Sequence, residues 1–433
     1  MILRLSDSLS RGLLVAAALL IGAWLSFFSV RAALARYESE RVTAAGLKRA
    51  TELEQGNPEY WYGLGRYQQY NLEQPDSEAA ERSYNRATGL NPVYTDALLD
   101  LATAYELDGN TGEATKAYLR AKRTYPVSAE VAWRYGNFLL RQGEQNEAYA
   151  ELKQAIQSDP SRGAAAFSRA YRTNPDLNEL FEKLMPADKA AYIGVIWDAL
   201  GERHLAVAKF AWMRLMSLNP RPQLDWRDVD YFAAQFLSAG EFAEAREVWD
   251  QGTATMKLPP LLQPKGTVVW DPSFEAHSDA NNKAFSWRYS PNEGVTVTLD
   301  NGEKLSGQQS LRISFDGRHD PELDLACTLG LVQPSTTYQF SAWIKTKNLT
   351  SDQGVGFRVR GIGDDDPRTI LRTTKTLGTT SWMPIEGTWS SGANVRRVQV
   401  CAYRDASGNE ERIQGYAWID DVNLLPEPEH HKQ

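Results

Sequence analysis

PVYTDALLDLATAYELDGNTGEATKAYLRAKRTYP, residues 92–126, reads as two short helices joined by a tight turn. Leu101, Ala102 and Tyr105 stand three and four apart, so they share one face of a first helix. Gly109 falls where the turn requires a positive φ, which glycine adopts without a Cβ penalty. Ala114, Tyr118 and Ala121 then form the inner face of a second helix, which Pro126 stops. Small alanines at the closest crossings, with a large ring between them, suit tight helix packing.

The same spacing recurs on both sides. Trp61, Leu64, Gly65, Ala80, Tyr84, Ala87 and Pro92 form one unit, whose inter-helix loop from Asn71 to Asp76 is longer than the motif asks for. Tyr135, Gly136, Gly143, Ala148, Leu152, Ala155 and Pro160 form another. Residues 161–188 fit badly, with Pro175 and Pro186 predicting short broken helices. The pattern returns weakly with Ile193, Gly194, Trp197, Gly201, Ala206 and Phe210, then with Phe232, Ala233, Phe236, Gly240, Ala245 and Trp249. With its 34-residue period, this stretch resembles the tetratricopeptide repeat (TPR) family. That resemblance implies a right-handed all-α solenoid over residues 36–257, stacked because no unit buries its own faces. It also implies a concave groove for a peptide or protein partner, lined by Tyr62, Arg66, Gln69, Leu99, Thr103, Glu106, Trp133, Asn137 and Arg141. The motif is a packing code and brings no catalytic chemistry.

Ahead of the repeats, Leu13 to Val30 is an uncharged apolar run of 18 residues, enough to cross a bilayer as one helix. The run exceeds the apolar core of a cleavable signal, so an uncleaved anchor within residues 1–35 is expected, although Ala33-Leu34-Ala35 has the small residues of a cleavage site. Arg31, Arg36 and Arg41 follow the run and only Arg4 and Arg11 precede it, a count that alone would keep the bulk of the chain inside.

Beyond a proline-rich linker at 258–265 the hydrophobic period changes from 3.6 to 2. Leu311, Ile313 and Phe315 alternate, as do Leu323, Leu325, Cys327 and Leu329. The same pattern marks Tyr338, Phe340, Ala342 and Ile344, then Val355, Phe357 and Val359, then Val398, Val400 and Ala402, and finally Ala417, Ile419 and Asp421. This predicts an all-β sandwich or jelly roll over residues 266–425, with a short tail at 426–433. Asp271-Pro-Ser-Phe-Glu275, Gly307-Gln-Gln-Ser-Leu-Arg-Ile313, the stretch Pro334 to Ile344, Ser381-Trp382 and Gly415 to Leu424 occur in the order seen in carbohydrate-binding modules, which this segment resembles. The fold class expected is therefore multidomain, a TPR solenoid followed by a jelly roll, with one N-terminal transmembrane helix.

The module resemblance implies two sites. A structural calcium would take Glu275 and Asp421, with Asp271 as a third ligand, since hard oxygen donors suit that ion. A sugar platform would use aromatic faces and nearby polar groups; Trp287, Tyr289, Trp382, Arg397, Gln399 and Tyr403 are the candidates, with Arg358 beside them. Trp343 and Trp418 belong to the family pattern and are expected to be structural. Cys327 sits on an apolar face and Cys401 on the polar alternation of its strand, which predicts two separate cysteines rather than a disulfide.

A net charge of −8 argues against a nucleic-acid partner. Paired carboxylates occur at Asp316 and Asp320 and in Asp364-Asp365-Asp366, but His277 and His319 lack a ligand spacing, and no phosphate loop or nucleophile elbow is present; a non-catalytic protein is expected. By resemblance the combination suits a scaffold anchored in a bacterial inner membrane. Most of the chain would be periplasmic, binding a protein through the repeats and a polysaccharide through the jelly roll in envelope or exopolysaccharide assembly. Two alternatives are an adaptor whose jelly roll only caps the last repeat, and a subunit that recruits a hydrolase.

Overall fold

The computed structural model describes residues 8–427 apart from 73, 264–265, 277–280, 290–291, 364–365 and 408–411. His277, Asp364 and Asp365 therefore lie outside the described residues. The chain forms two compact units, residues 1–191 and 192–433. The division falls inside the helical array, well before the proline-rich linker.

The first unit is built of helices: α1 (Ser8–Glu40), α2 (Ala44–Leu53), α3 (Pro58–Tyr70), α4 (Ser77–Leu90), α5 (Thr95–Leu107), α6 (Thr111–Thr124), α7 (Ala129–Gln142), α8 (Gln145–Ser158), α9 (Gly163–Thr173) and α10 (Leu177–Glu179), the last running on as a π-helical turn at Leu180–Leu184. Local signals set the starts. Asn57 accepts from the Glu59 amide at 3.0 Å ahead of Pro58, Asp76 from Ala79 at 2.9 Å, and Ser128 from Val131 at 3.3 Å. Gly109 takes φ 75° at the turn between α5 and α6, as the spacing predicts.

Successive helices pair as hairpins through the motif residues. Tyr84, fully buried, presses on α3 so closely that a Cβ on Gly65 would sit 2.7 Å from its ring. Gly136 meets Leu152 in the same way at 2.8 Å. Burying a ring such as Tyr84 or Tyr118 contributes on the order of 2–3 kcal/mol, and the glycines are what admit them. The helix α1 does not stop after its apolar run. Its end packs on α2, burying Ala35 completely, while the run itself is unburied and has a mean hydropathy of 2.3. Among the described residues this is the one helix long and apolar enough to cross a membrane.

The second unit holds most of α11 (Lys189–Gly201), then α12 (Leu205–Met216), α13 (Trp226–Ala239) and α14 (Phe242–Thr255), followed by nine strands among the described residues. β1 (Val295–Asp300), β2 (Ser310–Asp316), β9 (Gln414–Pro426), β4 (Thr337–Leu349) and β7 (Gly378–Ser390) form one antiparallel sheet in that order; β3 (Leu323–Leu331), β8 (Arg397–Arg404), β5 (Gly356–Gly361) and β6 (Leu371–Arg372) form the other. Leu311, Ile313, Phe340, Ile344 and Ile419 of the larger sheet meet Leu325, Phe357, Val359, Val398 and Val400 of the smaller one in a single core. Phe340 and Phe357 bridge the layers with ring centroids 5.2 Å apart.

Two expectations are corrected here. Cys327 and Cys401 form a disulfide, because β3 and β8 pair in register at this position with the Cα atoms 4.1 Å apart. Every residue from Val398 to Arg404 is buried, so β8 has no solvated face on which alternation could mark an unpaired polar position. The period-2 pattern of β9 also breaks at Asp421, which takes φ 49° at a register shift. Beyond that bulge Val422 and Leu424, rather than Asp421, continue the buried face.

Helices and sandwich are joined within this unit. Trp226 and Trp249 pack with Trp270 and Phe285, with centroids 5.0–5.6 Å apart. Both oxygens of the buried Asp230 accept from the Lys283 amide, and one also accepts from Ala284. The proline-rich linker is held down: Asp250 accepts from the Leu261 amide at 2.6 Å, and Trp270 Nε1 donates to Pro259 O at 3.0 Å.

Candidate functional sites

In the first unit α5, α7 and α9 line a cleft of about 230 Å3. Five of the residues expected in a partner groove meet there: Thr103, Glu106, Trp133, Asn137 and Arg141. Helix spacing places them, since positions four apart on one helix face the same side. Arg141 grips Glu106 with two bonds of 2.6 and 2.9 Å. Arg134 bonds the buried Asp100 at 2.9 Å and Thr103 Oγ1 at 2.6 Å, and Tyr62 Oη donates to the other oxygen of Asp100 at 3.0 Å.

Arg169 differs from its neighbours. Its guanidinium lies 4.5 Å from the centre of the Trp133 ring and donates to Asn137 Oδ1 at 2.5 Å. Among the described residues no carboxylate pairs with it. Burial, with the positive charges of Arg141 and Arg172, holds its pKa below the ordinary arginine value. The cleft thus presents a fixed, unneutralised cation braced on an aromatic face.

Four expected groove residues lie elsewhere. Leu99 is buried in the core between repeats, because its helix packs on both sides. Gln69 is buried and accepts from Tyr84 Oη at 2.7 Å. Tyr62 is tied to Asp100, and Arg66 lines a separate cleft of about 930 Å3 with Tyr60, Tyr67 and Tyr70. Sequence reasoning missed Arg134 and Arg169. Arg169 falls where the repeat spacing is lost, so only the arginine beside a third first-type helix could have signalled it.

In the sandwich the smaller sheet turns Arg397, Gln399 and Tyr403 of β8 away from the core, with Arg358 of β5 beside them. Trp287 does not join them. It is a core ring whose Nε1 donates to Asp271 O at 3.0 Å. Tyr289 is half-buried against the core, and Trp382 lies on β7 of the other sheet. Arg397 donates to Leu237 O at 3.1 Å and lies over Phe242, so it serves the join to α13 and α14. Asp316 bonds His319 at 2.8 Å, and Asp320 pairs with the buried Arg404.

The expected metal ligands are engaged by amides. Asp271 accepts from Glu275 and Ala276 at 2.7 and 3.0 Å. Glu275 Oε1 accepts from Gln308 and Gln309 at 2.7 and 3.1 Å. Asp421 bonds the Asn423 side chain at 3.0 Å. The residue that shares the 305–309 loop with Glu275 is its neighbour Asp420, fully buried, accepting from Leu305 and Ser306 at 2.9 and 3.1 Å. Burial raises the Asp420 pKa. Two carboxylates on one loop, one of them costly to keep charged, form a donor set whose chemistry fits a hard cation. Asp271 is tied into its own turn by its two amide bonds.

Two stretches of the chain match models of known families. Residues 267–407 match the model of a carbohydrate binding domain, and residues 129–162 match that of a tetratricopeptide repeat. Human protein O-mannosyl-transferase TMTC3 is 29% identical over 135 residues, 30% of this chain and 14% of that relative. Among solved structures, MamA is 26% identical over 28% of this chain and 68% of its own, with a TM-score of 0.25. TmCBM61, solved in complex with beta-1,4-galactotriose, is 17% identical over 37% of this chain and 99% of its own, with a TM-score of 0.27. A family 16 carbohydrate binding module is 16% identical over 36% and 99%, with a TM-score of 0.26. The chain thus carries tetratricopeptide repeats ahead of a carbohydrate-binding type of jelly roll.

Proposed function

We propose that the protein is a non-catalytic scaffold that holds a protein partner in its helical groove and a polysaccharide on its jelly roll, anchored by α1 in a bacterial inner membrane during envelope or exopolysaccharide assembly. The observation that carries the reading is the open cleft at Trp133, Asn137 and Arg169, a cation with most of its donors unspent. An acidic side chain or carboxyl group of a partner is the complement it lacks. The Cys327–Cys401 disulfide supports an extracytoplasmic sandwich, since such bonds persist in oxidising compartments. A structural calcium at Glu275 and Asp420 belongs to the same reading, neutralising the buried carboxylate.

The test is a photo-cross-linking residue in place of the exposed Arg172, in native membranes. A defined cross-linked partner, lost in Arg169→Glu and Trp133→Ala, supports the groove. The same adducts in all three proteins would refute it. A glycan array with the full chain in detergent tests the jelly roll.

One observation favours the adaptor alternative. Trp270 and Phe285 of the sandwich seal the end of α13 and α14, as a cap would. A folded chain that binds no glycan would leave that reading standing.

A further inference from the structure

We propose that the sandwich takes up an anionic, carboxylate-bearing polysaccharide on the outward face of its smaller sheet, through Arg358, Arg360 and Arg372. This rests on the reading that the jelly roll binds glycan, and it names the chemical class.

The sheet register dictates the charge pattern. Phe357 and Val359 face the core, so Arg358 and Arg360 face outward, about 7 Å apart along β5. Arg372 of β6 stands directly opposite Arg358. Like charges opposed across two strands are destabilising, so such a pair draws anions to it. Among the described residues two acids, Asp324 and Asp405, face the three arginines and Lys375. Asp324 pairs with Arg358, and Asp405 is shared between Lys375 and, at 3.7 Å, Arg372. Arg360 is exposed, donates only to the neutral Gln399 Oε1 at 2.8 Å, and has no ion-pair partner among the described residues.

Beneath the row the groups are fixed. Gln399 is buried, and Arg358 Nε is buried without a hydrogen-bond partner. Tyr403, the ring expected to stack on sugar, is buried under Arg358, Arg372 and Lys375, whose charged groups lie 5.4–5.8 Å from its centre. An apolar platform for a neutral sugar is therefore replaced by planar guanidinium forks, which match carboxylates two bonds at a time. Forks repeated along and across strands suit a chain with charge at intervals better than one isolated anion.

The experiment uses the full chain in detergent with three polymers: polygalacturonate, the same polymer fully methyl-esterified, and polyglutamate. Polygalacturonate should bind, more weakly as salt rises, and at least about tenfold tighter than the uncharged ester. Arg360→Gln with Arg372→Gln should weaken it by roughly tenfold or more, while Lys347→Gln, an exposed charge on the larger sheet, leaves it unchanged. Both variants alter exposed side chains, and an unchanged melting temperature confirms their fold. Equal binding of the ester, or full binding by the double variant, overturns the proposal. So does polyglutamate competing as well as the glycan, which marks an acidic-polypeptide surface. If a neutral polysaccharide binds instead, the glycan reading stands and the charge inference fails; if no glycan binds, both fail.

Discussion

Trp249 of the last helix stands edge-on to Trp270 of the sandwich, ring centroids 5.0 Å apart and planes at 86°. Both rings are fully buried, and both are reached by Trp226. The helical end and the jelly roll thus share one aromatic core. Trp270→Ala should cost about 3–5 kcal/mol in denaturant unfolding, as for other buried large-to-small changes. Trp249→Ala should cost a similar amount, and the double variant clearly less than the sum, because the two rings lose the same contact. Additive effects, or a loss below about 1 kcal/mol for either, would show that the two parts fold independently.

That join also explains where sequence reasoning succeeded and stopped. Motif residues whose place is set by spacing within one repeat, such as Tyr118, Gly109 and Gly136, are legible because that spacing follows from helix geometry. Contacts that depend on what covers a surface are not. Leu99 looked like a groove residue because a helix outside its fold has no second neighbour to bury it. Cys401 looked unpaired because alternation assumes a wet side, and β8 has none. The break in the alternation at Asp421 is illegible because a bulge leaves no mark on period-2 spacing until the strand is paired.

Glu81 of α4 should make the first unit sensitive to pH. Partial burial, then its hydrogen bond to Asp108 and that group's charge, push its pKa up to about 7 from an ordinary 4.5. The fold therefore favours the protonated acid. Its contribution is fully present below about pH 4.5 and is lost as pH rises through about 7. Melting temperature should fall across that window, and Glu81→Gln, which keeps a donor for Asp108, should flatten that part of the profile. An identical profile in the variant would assign the dependence to other groups.

Reduction should separate the state of the disulfide from the fold of the sheet. Cys327 and Cys401 are 74 residues apart in sequence. On the chain-entropy account, closing a loop of that length stabilises by about 4 kcal/mol. Reductant, or Cys401→Ser, should lower the unfolding midpoint accordingly while β3 and β8 remain paired through their backbone ladder. Alkylation in intact cells is the second readout. Protected cysteines place the sandwich in an oxidising compartment, whereas free thiols in the folded protein would put it in a reducing one and remove the support for an extracytoplasmic jelly roll.

The carboxylates over the 305–309 loop give the metal question a direct test. Among the described residues Asp420 has its charge met by amide dipoles from Leu305, Ser306 and Asp421, and burial raises its pKa. A bound calcium would favour the ionised form and tie that oxygen to Glu275 across the loop. Chelation should then lower the melting temperature by several degrees, with added calcium restoring it in proportion to the logarithm of its concentration. Asp420→Asn keeps an oxygen acceptor for the two amides but removes the charge, so it should abolish the calcium response while leaving the loop in place. A wild-type melting curve that ignores both chelator and calcium would mean that the amides alone hold Glu275 and Asp420, and the site would be structural without an ion.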